Sequence, residues 1–243
     1  MKEINAKSIL VNSKLPESDY VINPYTGCLH GCIYCYATFM KRFTNHKEDW
    51  GKFVDVKINA ADLVPKKSLK GKVVTISSVT DAYQPAERKY ELTRKILKKL
   101  IPLEPSLCVL TKSDLVLRDV DLLEQFKNCV VAISMSTLDD SVRKKLEPMA
   151  CSVERRLKAV EELRKNGIRV ALFISPIFPK LTEWKKMIKI KADEYWFENI
   201  NLKRADWNRV EEFFDEHPTR DCWDSLEAEI KKKYKTAKIY FHH

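Results

Sequence analysis

Three cysteines, Cys28, Cys32 and Cys35, follow the spacing C-x3-C-x2-C on one short stretch of chain. Thiolates are the usual ligands of iron–sulfur clusters. Three of them close together wrap three corners of a [4Fe–4S] cubane and leave the fourth iron without a protein ligand. An open coordination position is what metal-centred chemistry needs, as the water position of catalytic zinc illustrates. The chain has seven cysteines, an odd number, which fits metal or redox chemistry better than a disulfide framework.

Spacing alone leaves three readings open. In the first, the open iron is chelated by the amino and carboxylate groups of S-adenosylmethionine (SAM). The reduced cluster then splits the carbon–sulfur bond to give a 5′-deoxyadenosyl radical. Tyr34, directly before Cys35, favours this reading, because a ring or backbone there can meet adenine. In the second, a Cys3His zinc site completed by His30 or His46, or a closed iron–sulfur cluster, sits in a non-catalytic module that binds nucleic acid. In the third, a distant cysteine closes an electron-transfer cluster. Cys108 and Cys129 sit in apolar runs and read as core residues, while Cys151 and Cys222 read as buried or surface thiols.

The elements that position these residues alternate. Tyr20–Tyr25, Val73–Ser77, Leu107–Leu110, Val130–Ser134, Ile168–Ile174 and Ala192–Ile200 are short and apolar, as buried strands are. Ala237–Phe241 adds a last strand. Between and after them, Glu87–Ile101, Asp119–Lys127, Val153–Asn166, Leu181–Ile190, Trp207–Glu216 and Asp221–Tyr234 carry helical apolar stripes. Gly167 supplies a helix stop. Strands separated by helices imply right-handed βαβ units and a mostly parallel sheet. The expected fold is α/β, a partial (β/α)6 TIM-like barrel. In such folds chemistry sits on the loops after the carboxyl ends of the strands. The cysteine motif, Thr80–Asp81, Lys112, Ser134–Ser136, Ser175 and Glu198–Asn201 all fall there.

The bulk composition sets limits. A length of 243 residues suits one domain, with a core over about 20–201 and a helical extension over 202–243. Five glycines leave no room for a Gly-rich linker, and there is no P-loop. The net charge of +10 favours nucleic acid or another anionic substrate. The lysines are nevertheless spread over Lys66–Lys72, Lys95–Lys99, Lys185–Lys191 and Lys231–Lys235, as on solvated helix faces. The start lacks the apolar core of a signal peptide. The most apolar stretch, Val170–Phe178, is far shorter than the ~20 residues that span a bilayer. A cytoplasmic protein without membrane contact is expected. His242 and His243 carry no weight.

The run from Asn23 to Ala37, NPYTGCLHGCIYCYA, resembles the cluster loop of radical SAM proteins related to spore photoproduct lyase, often catalogued as DNA repair photolyases. Four further stretches agree in order: Ser78–Glu87 (SVTDAYQPAE), Leu110–Ser113 (LTKS), Ser134–Leu138 (SMSTL) and Leu146–Ala150 (LEPMA). The resemblance implies that Cys28, Cys32 and Cys35 ligate the cluster and that Tyr34 meets the adenine. It puts Thr80 and Asp81 at the methionine end of SAM, Lys112 at its carboxylate, and Ser134 or Ser136 at ribose or carboxylate. An unidentified reducing electron donor is also implied.

One departure stands out. Spore photoproduct lyases carry a cysteine just before the second-strand SAM contact, and it returns a hydrogen atom to the repaired thymine. This chain has Ser78 or a neighbour there. An O–H is a much poorer hydrogen-atom donor than a thiol. Tyr36 is the alternative donor. Glu198, with Asn199 and Asn201, ends a strand at the expected mouth, where it can orient a substrate or take a proton.

Overall fold

The computed structural model describes every residue except Lys180, Asp215 and His243. Among the described residues eleven strands form, in chain order: β1 (Lys2–Ile4), β2 (Leu10–Asn12), β3 (Tyr20–Ile22), β4 (Tyr25–Thr26), β5 (Asp55–Lys57), β6 (Val73–Ile76), β7 (Ser106–Thr111), β8 (Cys129–Ser134), β9 (Arg169–Ile177), β10 (Glu194–Asn199) and β11 (Lys238–Ile239). Eight of them make one sheet in the order β11-β10-β9-β8-β7-β6-β3-β2. Every pairing from β3 through β11 is parallel, and only β2 joins antiparallel. This is the expected α/β architecture, a partial TIM-like barrel with the short β11 added at one edge. No ladder among the described residues joins β11 back to β2. The Lys238 ammonium reaches across that gap to Glu17.

Tyr20–Tyr25 splits where Pro24 removes a backbone donor. Its first half joins the large sheet. Its second half becomes β4 and pairs with β5 in a small separate sheet, order β1-β5-β4. The helix expected over Glu87–Ile101 also divides, into Glu87–Tyr90 and Leu92–Leu100, with Glu91 left-handed at φ 50°. The buried Glu87 carboxylate caps the second piece, accepting the Thr93 N–H at 3.1 Å. A carboxylate at a helix N-terminus answers both its free N–H groups and its dipole. Asp140–Leu146 is a helix that the periodicity did not reveal, capped by Asp139 accepting the Ser141 N–H at 2.7 Å. The Trp207–Glu216 expectation reduces to a helical turn at Trp207–Val210 and a 3-10 turn at Glu211–Phe213; Asp215 lies outside the described residues.

The strands bury their outer face under helices. On β7, Leu107, Val109 and Thr111 are buried, while Ser106, Cys108 and Leu110 are only half-buried. The second set lines a cavity of about 680 Å³ inside the curve of the sheet. Outer positions such as Phe197 and Leu172 are fully buried, each contributing about 1.5–3 kcal/mol. Val210, Trp223 and Ile230 from the C-terminal segment join the same core. Among the described residues no helix is long and apolar enough to cross a membrane.

Candidate active site

The cysteine loop follows β4 and lies over the carboxyl ends of the parallel strands. Two glycines permit its path. Gly27 has φ +91°, and a Cβ there would stand 2.5 Å from the Phe53 carbonyl oxygen. Gly51 has φ +94°, and its Cβ would stand 2.7 Å from the Gly31 Cα. Both conformations belong to glycine, and neither position leaves space for a side chain.

Cys28, Cys32 and Cys35 are free thiols that line one cavity of about 110 Å³. Tyr34, Tyr36, Thr80, Asp81, Lys112, Ser175, Glu198, Asn199 and Asn201 share its wall, so segments expected to converge do so. Ser134 and Ser136 are not in that wall. The Ser134 hydroxyl donates to the Ser175 carbonyl at 3.2 Å, and that of Ser136 to Glu147 at 3.2 Å. His46 lies elsewhere, its Nε2 2.8 Å from Asp55 and its ring stacked on Phe53. None of the other four cysteines lines the cavity: Cys108 faces the large inner one, Cys151 bonds the Lys112 carbonyl at 3.1 Å, and Cys222 is exposed.

Among the described residues no three His, Cys, Asp or Glu side chains converge tightly enough to grip a single ion. A cubane takes one thiolate per iron, so its ligands stand apart around the cluster. Three unbridged thiols on one wall, facing a cation, suit such a cluster. Burial pushes the Cys32 thiol up to about 12, with nearby Lys112 opposing, and burial raises Cys28 and Cys35 as well. Metal charge is what would release these protons.

Asp81 organises the loop after β6. Its Oδ1 accepts from the Thr111 hydroxyl at 2.7 Å and the Tyr83 N–H at 2.8 Å, and its Oδ2 from the Lys112 N–H at 2.8 Å. His30 Nδ1 stands 3.4 Å from Oδ2. Burial would raise this carboxyl, but His30 and the hydrogen-bond donors hold it well below the usual carboxylate range. Thr80 donates to the Gly27 carbonyl at 2.6 Å, tying that loop to the cysteine loop. The Lys112 ammonium lies 5.8 Å from the Tyr34 ring centroid. Burial favours its neutral form, but Cys32, Glu147 and Asp81 outweigh that and raise its pKa. Lys112 makes no contact ion pair among the described residues, and its positive charge lines the cavity under the influence of these nearby groups.

Tyr36 and Glu198 border both cavities. The Tyr36 hydroxyl donates to the Ser78 carbonyl. Burial, with Glu198 nearby, raises its pKa. Glu198 accepts the Ser175 hydroxyl at 2.6 Å and lies 3.2 Å from His242 Nε2.

A model of the radical SAM superfamily matches residues 22–189, more than two thirds of the chain. The chain belongs to that superfamily. This radical SAM protein is 43% identical over 206 residues to an uncharacterised protein of Methanocaldococcus jannaschii, covering 84% of this chain and 78% of that one. It is 26% identical over 160 residues to a radical SAM Nα-GlyT isomerase of Pseudomonas phage M6, covering 64% of this chain and 32% of that one. Its fold matches a spore photoproduct lyase variant with bound AdoMet and dinucleoside spore photoproduct at a TM-score of 0.69, over 99% of this chain and 81% of that one, at 14% identity. At that identity the likeness is one of fold. Superfamily membership implies a [4Fe–4S] cluster and SAM.

Sequence reasoning passed over two features of the candidate site. The His30–Asp81 contact lies in the cavity wall, and the buried Glu147–Arg156 pair lies beneath Tyr34. In the sequence, Leu146–Ala150 reads only as a matching motif; the charged Glu147 inside an otherwise apolar LEPMA run is the available signal.

Proposed function

We propose that this protein is a radical SAM enzyme in which Cys28, Cys32 and Cys35 hold a [4Fe–4S] cluster. The observation that carries the reading is the shared wall: three free thiols face the same cavity as Lys112, Tyr34 and Thr80. When bound, such a cluster supplies an open iron to chelate SAM and the electron that splits it into methionine and a 5′-deoxyadenosyl radical.

The chain's own residues do the rest. Lys112 neutralises the SAM carboxylate, a charge-assisted contact in a low-dielectric pocket. Tyr34 packs against adenine. Thr80 borders the methionine end, and Asp81 shapes the same wall by holding Thr111, Lys112 and Tyr83 in place. Ser134 and Ser136 act from beneath the cavity, through Ser175 and Glu147. The substrate occupies the larger inner cavity, which meets the smaller one at Tyr36, Ser78, Leu110, Phe173 and Glu198. At that junction Tyr36 would return a hydrogen atom to the substrate radical, leaving a phenoxyl radical that one electron from the reducing donor and one proton restore, and Glu198 orients the substrate or takes a proton. The net charge of +10 supports an anionic substrate, nucleic acid among them. An unidentified reducing donor supplies the electron.

The test is anaerobic reconstitution with iron and sulfide, reduction, addition of SAM, and detection of 5′-deoxyadenosine by mass spectrometry. The wild type is expected to form it and Cys32→Ala is not. A chain that takes up zinc but no cluster would overturn the reading.

A further inference from the structure

Glu147 lies fully buried behind the cysteine loop, and no step above uses it directly. Its carboxylate accepts the Tyr34 hydroxyl, the Ser136 hydroxyl at 3.2 Å, and the guanidinium of Arg156. Arg156 is itself 1% exposed, and it also donates to the Ser134 carbonyl at 3.0 Å and the Cys151 carbonyl at 3.1 Å. Every polar group of this cluster therefore ends on a neighbour, as a buried polar network requires.

The backbone on either side of Glu147 also holds the cysteine loop. The Ile33 N–H donates to the Leu146 carbonyl at 3.0 Å, and the Met149 N–H donates to the His30 carbonyl at 3.1 Å. Residues 146–149 thus grip His30, Ile33 and Tyr34, which stand between and beside Cys32 and Cys35. A buried ion pair adds little net stability over an apolar replacement, so its value here lies in fixed geometry. Among the described residues, Tyr34 is the one side chain of the cysteine loop that the Glu147 carboxylate holds.

We propose that Glu147 is a positioning residue of the cluster site. Held by Arg156, it fixes Tyr34 and with it the Cys32–Cys35 arm of the loop, so that the thiols are placed before iron arrives. This rests on the reading above that the three cysteines hold a cluster.

Tyr34→Phe tests it, because that change removes only the hydroxyl and leaves the Glu147–Arg156 pair and the ring intact. The first measurement uses metal-free protein: amide hydrogen exchange of peptides covering residues 28–40, against peptides from β8 and β9. The expected result is roughly tenfold faster exchange in the loop, well beyond any change in the strands, with a modest fall in melting temperature from the lost buried hydrogen bond. The second is the EPR spectrum of the reconstituted, reduced protein with and without SAM. The variant is expected to give a broadened signal with a smaller change on SAM addition. Unchanged loop exchange, or faster exchange spread evenly over loop and strands, overturns the proposal. If the wild type itself gives no [4Fe–4S] signal, the cluster reading fails, and the exchange result still decides whether Glu147 orders the loop. Glu147→Gln, which keeps an oxygen for Tyr34 but loses the charge facing Arg156, serves as the second variant. If it folds, its loop exchange is expected to stay closer to wild type than that of Tyr34→Phe; loop exchange as fast as in Tyr34→Phe overturns the role of the hydroxyl contact.

Discussion

The Thr111 hydroxyl donates to Asp81 Oδ1 at 2.7 Å, locking the loop after β6 to the end of β7. The same carboxylate holds the Lys112 and Tyr83 N–H groups, so Asp81 joins two strand ends behind the candidate SAM cavity. Asp81→Ala strands three buried or half-buried donors together with His30. Each donor bonded to a charged acceptor is worth about 1.5–3 kcal/mol, so a loss of about 3 kcal/mol or more is expected. Urea unfolding of the metal-free protein measures it. Asp81→Asn should recover only part, because its amide presents an N–H where the Lys112 N–H needs an acceptor.

Lys112 offers a second, separable effect. Its ammonium faces the cavity without a contact ion-pair partner among the described residues, while Cys32, Glu147 and Asp81 nearby favour its charge, so removing it lowers stability as well as ligand binding. Lys112→Met keeps the stem and deletes the charge. SAM affinity is expected to fall about 10- to 100-fold, the range for losing one charge-assisted contact, with a modest fall in melting temperature because Glu147 and Asp81 lose a nearby positive charge. Isothermal titration of the reconstituted protein with SAM reads the affinity. An unchanged affinity would remove Lys112 from the SAM site.

The cysteine spacing and the strand runs were readable from sequence because both are local. Val73–Ile76 and Cys129–Ser134 are β-branched and bounded, and the chain obeys that pattern. The break at Glu91 was not readable, since the helix restarts on a carboxylate from Glu87 that also bonds Tyr25, 62 positions earlier. Nor was the inward turn of Ser134 and Ser136. A serine at a strand end reads as a ligand contact until Ser175 and Glu147 are known to stand beside it. Tyr34 could be seen next to Cys35, but its partner Glu147 lies 113 positions away. Contacts at that separation leave no periodic trace in a single chain.

His46 predicts a pH dependence in the segment that follows the cysteine loop. Its hydrogen bond to Asp55 raises its pKa, with burial opposing and Glu48 adding to the rise. The folded state therefore binds the proton more tightly than the unfolded state, whose histidine titrates near 6.5. The resulting stabilisation is fully present below about pH 6.5 and is lost as pH rises through the folded value. Urea midpoints of the metal-free wild type should decline from pH 6 to pH 8.5 more steeply than those of His46→Asn. Parallel slopes would show that the His46–Asp55 contact carries no linked proton.

Ser77 combines two unfavourable features where the inner cavity meets the loop after β6. Its backbone is left-handed at φ 71°, and its hydroxyl is buried with no hydrogen-bond partner among the described residues. A non-glycine residue in that region costs about 1–3 kcal/mol. An unsatisfied buried hydroxyl costs about 1–3 kcal/mol more. Glycine would relieve both, at an entropic cost of about 0.5–1 kcal/mol. Ser77→Gly is therefore expected to raise the melting temperature of the metal-free protein, while Ser77→Ala, which removes the hydroxyl but keeps the strained backbone, should gain less. Strain of this kind persists where function holds it, and Ser77 lines the cavity assigned to substrate. A melting temperature that falls in both variants would mean the hydroxyl is satisfied in solution, and the two costs would no longer mark this residue as one kept for binding.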